Sequence, residues 1–165
     1  MTTLTSHHPT KIGGSMAILA ALCAAVVGIA GGLITGFVSL LGVLILLLGL
    51  SLPRPGLISL GSVFLGGSVL VVGMTGASAM LIAIGLIGVI LGWDLGHNAA
   101  SLGRQVGNTA QTGRAEAFHA GGSIAVGVFV TVFGMLVYLS MSAAQPAMAV
   151  ALFALAGLLF ILAIR

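Results

Sequence analysis

Charged and apolar positions are sharply segregated along this chain. Three stretches, residues 12–53, 55–93 and 117–164, contain no Asp, Glu, Lys or Arg. A membrane-crossing helix needs about 20 apolar residues, so each stretch is roughly twice the length of one span. Each also carries a break near its middle: Gly31-Gly32, then Thr75-Gly76-Ala77-Ser78, then SMSAAQP at 140–146. Clusters of Gly, Ser and Pro are turn signals. The pattern therefore predicts six spans, at 14–31, 33–52, 57–74, 79–98, 117–139 and 147–164. The predicted fold class is all-α, a polytopic membrane helix bundle over 14–165 built as three tight hairpins. Residues 1–13 are expected to form a mobile tail.

The basic residues agree with that count. With six spans, Lys11, Arg54, Arg104, Arg114 and Arg165 all fall on one side, and the three mid-stretch turns carry no charge. Lys and Arg concentrate in cytoplasmic loops. Both termini are accordingly expected in the cytoplasm, with the chain a multi-pass protein of the cell membrane.

Composition sharpens the class. The chain is 59% hydrophobic and 4% charged, against about 25% charged residues in soluble domains. Its partner is first of all the lipid bilayer. A net charge of +3 spread over the chain without a basic cluster gives nothing to follow a phosphate backbone, so nucleic acid is excluded as a partner. The single cysteine, Cys23, allows no intrachain disulfide, and Leu22 before it argues against lipidation. The first apolar segment reads as a retained span, not a cleaved signal. Small residues repeat at four-residue spacing, as in Gly28/Gly32/Gly36, Gly88/Gly92/Gly96 and Gly103/Gly107. Such spacing lets backbones approach in lipid. With six helices in one chain, packing inside the bundle is the expected use, ahead of a dimer face.

The remaining chemistry sits in one segment, WDLGHNAASLGRQVGNTAQTGRAEAFHA, residues 93–120. It holds both acidic residues, Asp94 and Glu116, with Arg104, Arg114, His97 and His119. Trp93 reads as an anchor at the headgroup level. At 3.6 residues per turn, Asp94, His97, Asn98, Ser101, Gln105, Asn108, Thr112, Glu116 and His119 share one stripe, which predicts helical extensions beyond the bilayer. GNTAQTG, residues 107–113, is the expected turn, making a cytoplasmic helical hairpin at about 94–116. Counting outward from Ala110 pairs Arg104 with Glu116 and Ser101 with His119.

Three readings of these residues compete. The polar stripe can be an interfacial face with paired charges, available for docking. Asp94, His97 and His119 can instead form a proton or ion site at the cytoplasmic mouth, although no other span carries a charge for a pathway. His97 and His119 can hold haem or a metal, but two histidines without repeated ligand spacing are a weak signature, and no cofactor is expected. Catalysis has no support: no nucleophile elbow, HExxH or P-loop occurs, and there is one Asp in all.

Three motifs in this segment carry a resemblance: Trp93-Asp94 near a span end, the stretch Leu102-Gly103-Arg104-Gln105-Val106-Gly107, and Arg114-Ala115-Glu116-Ala117-Phe118-His119-Ala120. Together they resemble a family of small multi-spanning membrane proteins of halophilic archaea, of unknown function. The match covers about the middle third of the chain, and the rest agrees by hydropathy. In that family an acidic residue stands where this sequence has His97, which weakens a chemical role for that position. The family's genes lie beside those of MoxR-type AAA ATPases, which implies a membrane assembly. The sequence thus leads to an interaction or scaffold subunit that docks a protein partner through 93–120. The alternative is a small proton- or ion-coupled transporter or channel subunit using Asp94, His97 and His119.

Overall fold

The computed structural model describes residues 10–106 and 113–140. Among them there are five helices and no strand: α1 (Lys11–Ala30), α2 (Leu33–Ser51), α3 (Pro55–Met74), α4 (Ala79–Val106) and α5 (Gly113–Ser140). Five described helices therefore stand where six spans are predicted. The sixth expected span, 147–164, lies outside the described residues, as do Arg165 and the turn within 107–112. The chain divides into two compact units, Met1–Val132 and Phe133–Arg165. The first holds α1 to α4 and the start of α5, and all the contacts below lie within it.

Each helix is apolar almost all the way round, the pattern of a helix surrounded by hydrocarbon or protein rather than by water. The breaks act as predicted at the first two turns. Gly32 and Gly76 adopt φ of 118° and 85°, a left-handed region that favours glycine, so the chain reverses there in very few residues. Pro55 opens α3 at its first position, where its missing N–H costs nothing.

The most extensive faces are α1 on α4 and α2 on α3, with smaller ones of α1 on α2, α3 on α4 and α1 on α3. The two largest depend on missing side chains. A methyl added at Gly88 would lie 2.8 Å from the Ala20 carbonyl oxygen and 3.0 Å from the Ala24 nitrogen. One added at Gly61 would lie 2.6 Å from the Leu46 nitrogen and 2.7 Å from the Gly42 oxygen. Gly88 and Gly92 thus meet the Ala17–Ala21–Ala24 face of α1, and Gly42 meets Gly61 across the α2–α3 seam. Gly88 and Gly92 of the α4 repeat lie at a close approach within the chain. Leu46, Ile58 and Leu65 fill the space between, all fully buried. A smaller cluster of Val27, Val69 and Val72 closes the other end.

The outward faces remain apolar. Leu19, Leu22, Val26 and Ile29 of α1, and Leu40, Leu44 and Leu48 of α2, are exposed. Exposed apolar surface on this scale needs a nonaqueous neighbour. All five helices are long and apolar enough to cross a membrane.

Antiparallel order brings the start of α1, the α2–α3 turn, the end of α4 and the start of α5 to one end of the bundle. The backbone N–H of Thr10 donates to the Ala99 carbonyl at 3.3 Å, which sets the register of α1 against α4. From Ala99, α4 runs on to Val106, about 10 Å beyond the start of α1 at 1.5 Å per residue. The polar segment is thus helical on both arms, as its stripe predicts. α1 begins at Lys11, ahead of the expected start at 14, and Thr10 is buried.

Candidate functional site

Three polar groupings occupy the charged end. The first closes the start of α1. A helix leaves its first N–H groups without partners, and a cap residue's side chain normally accepts one of them. Thr10 stands at the cap position, but its hydroxyl makes no cap bond. It donates to Glu116 Oε2 at 2.8 Å, and the same oxygen accepts the Gly13 N–H at 2.6 Å. Glu116 is buried, 3% exposed. A carboxylate from α5 thus caps α1. Negative charge at a helix N-terminus is favoured by the helix dipole. Gly13 lets it in: a methyl there would sit 3.0 Å from Glu116 Oε2. The sequence paired Glu116 with Arg104. The structure instead brings the carboxylate to α1, while Arg104 is exposed on α4.

The second grouping joins α4 to α5. Asp94 Oδ2 lies 3.0 Å from His119 Nε2 and accepts the Ser123 hydroxyl at 2.6 Å. The two side chains are 32% and 39% exposed, Asp94 the less. Asp94 precedes Ala99 by five residues, so it lies about 8 Å deeper in the bundle than the start of α1. His119 was expected opposite Ser101. Its observed partner is Asp94, and Ser101 instead accepts the Gln105 side-chain amide at 3.0 Å on its own helix.

The third joins α4 to α3. Trp93 Nε1–H donates to Ser59 Oγ at 3.1 Å, and Ser59 Oγ lies 3.4 Å from His97 Nε2. His97 Nδ1 lies 3.0 Å from the Trp93 carbonyl, which can only accept. In a neutral imidazole that places the hydrogen on Nδ1 and leaves Nε2 to accept the Ser59 hydroxyl. Indole, hydroxyl, imidazole and carbonyl form a closed loop. The rings of Trp93 and His97 pack with centroids 4.9 Å apart.

The six chemical candidates therefore separate. Asp94 and His119 come together, with His97 turned toward α3 and Glu116 toward α1. Arg104 and Arg114 are exposed, the latter's guanidinium 5.8 Å from the Phe118 ring centroid. Among the described residues no group of three or more His, Cys, Asp or Glu side chains assembles. Thr10, Gly13, Ser59 and Ser123 belong to the site and were missed. Gly13, Ser59 and Ser123 are small residues inside apolar stretches, with no local signal to mark them, and Thr10 sits in the polar segment before Lys11 that reads as a tail.

Among the described residues, five long apolar helices with the charged side chains gathered at one end define an all-helical multi-pass protein compatible with a membrane. The chain belongs to a family of unknown function, DUF7519, whose model matches residues 7–161. No curated protein and no solved structure matches it.

Proposed function

We propose that the chain is a noncatalytic interaction subunit of a membrane assembly, with its charged end in the cytoplasm. The end of α4 and the start of α5 dock a protein partner. The observation that carries this reading is how the polar side chains are used. Glu116 caps α1, Asp94 holds His119 and Ser123, and His97 closes a loop with Trp93 and Ser59. Deeper hydroxyls bond to carbonyls of their own helices, as Ser39 does to Gly36, Ser62 to Ile58 and Ser68 to Leu65. Such bonds supply no continuous polar path. Arg104, Gln105 and Arg114 are left exposed where two helices run past the start of α1. A patch of that kind suits an acidic partner surface. The resemblance to haloarchaeal proteins makes a MoxR-type ATPase system the partner class to look for.

The test is a crosslinking pull-down from native membranes, comparing wild type with the double variant Arg104→Ala, Arg114→Ala. Glu116 is left intact because it holds α1. A partner recovered with wild type and lost from the variant supports docking. The same proteins recovered from both overturn it.

A second reading has one observation in its favour. The Asp94–His119 pair is partly exposed and lies below the level of Lys11, a fitting place for a proton or ion site in a transporter or channel subunit. Asp94→Asn would then abolish ion flux in liposomes without changing partner capture.

A further inference from the structure

At the charged end, the start of α1 and the end of α2 part to leave a groove of about 390 Å³. Lys11, Gly14 and Ile18 form one wall, and Leu47, Leu50 and Ser51 the other. These positions recur at helical spacing, so the groove follows the α1–α2 seam along the bundle. Its deep part is aliphatic. Its mouth carries one charge, the exposed Lys11 ammonium, and no lining residue is acidic. Arg54, three residues past Ser51, adds a second exposed cation at the same end. Gly14 keeps the groove open: it is buried, yet nothing lies within 4 Å of where its Cβ would stand. The α1 terminus itself is not the binding element, since Glu116 already takes the Gly13 N–H.

We propose that this groove holds one anionic phospholipid, its phosphate at Lys11 and an acyl chain along Ile18, Leu47 and Leu50. The proposal rests on the membrane reading of the chain. Charge complementarity selects the occupant. The one charged lining residue is a cation, which suits a headgroup of net negative charge, and the nearby Glu116 carboxylate is already engaged by the Thr10 hydroxyl and the Gly13 N–H. The aliphatic walls match a lipid tail and do not suit a free phosphate. A long lysine near a span end reaches to the headgroup level.

The experiment uses the full chain in vesicles of phosphatidylcholine and phosphatidylglycerol in equal parts. Flotation first establishes insertion, and native mass spectrometry then counts retained lipids. Wild type retains one phosphatidylglycerol in several-fold preference to phosphatidylcholine. Lys11→Gln removes the preference. Gly14→Leu, which grows into open space without a clash, removes the bound lipid while flotation persists. Equal retention of the two lipids by wild type, or retention unchanged in both variants, overturns the site. A chain that fails to float with the vesicles overturns the membrane reading, and this site with it.

Discussion

Glu116 and Gly13 are 103 residues apart in the chain, yet the carboxylate of one accepts the backbone N–H of the other at 2.6 Å. A cap contributed by a distant helix stabilises α1 and also fixes where α5 begins. Removing one partner of a buried hydrogen bond leaves the other unsatisfied, at a cost of about 1–3 kcal/mol. Glu116→Ala should lower the melting temperature in detergent by that equivalent. Thr10→Val should cost less, because it removes only one of the two donors to Oε2. Equal melting of wild type and Glu116→Ala would show that the carboxylate does not hold α1.

The α2–α3 crossing gives a paired prediction. Gly61→Ala forces a methyl to within 2.6 Å of the Leu46 backbone nitrogen. Overpacking of this kind typically costs about 1–3 kcal/mol. Gly67, on the same helix, has nothing within 4 Å of its Cβ position. There alanine should be neutral or stabilising by up to about 1 kcal/mol, from helix propensity. Thermal unfolding of the two variants side by side decides it. Similar effects from both would place the α2–α3 contact elsewhere.

Asp94 is the main polar tie between α4 and α5, through His119 and Ser123. Asp94 and His119 are both partly exposed, so their contact itself should contribute less than about 1 kcal/mol. The larger effect should be local. Asp94→Ala should speed amide hydrogen exchange over residues 113–123 and leave α2 and α3 unchanged. Uniform acceleration across all helices would mean that Asp94 supports the whole bundle.

The distribution of turns predicts labelling. In a Cys23→Ala background, Arg54→Cys and Thr75→Cys should react with an impermeant maleimide from opposite faces of an inverted and a right-side-out vesicle. Native Cys23, exposed midway along α1, should resist that reagent in vesicles, because its surroundings are then lipid. Labelling of both introduced cysteines from one face would remove the hairpin topology.

Hydropathy made the helices legible. The predicted spans 33–52 and 57–74 lie within two residues of α2 and α3, because turn glycines and Pro55 punctuate uniform apolar runs. The polar stripe also announced that α4 and α5 continue beyond their apolar parts. Partners were another matter. Counting outward from Ala110 considered two helices, whereas Glu116 turns to a third. Nothing near Glu116 in sequence points to Thr10 or Gly13. Ser59 and Ser123 were equally silent, since a serine in an apolar helix most often bonds to its own backbone, as Ser62 does. Helix identity is written locally, and the choice among neighbouring faces is written in pairs of positions far apart.

The late arrival of Glu116 has a consequence for biogenesis. Ribosomes add about 5–20 residues per second, so the carboxylate that seals α1 leaves the tunnel roughly 5–20 s after Gly13. The alanine face of α1 likewise waits for the glycines of α4. Until α4 is made the small-residue face of α1 has no glycine face to meet, and until α5 is made the start of α1 lacks its cap.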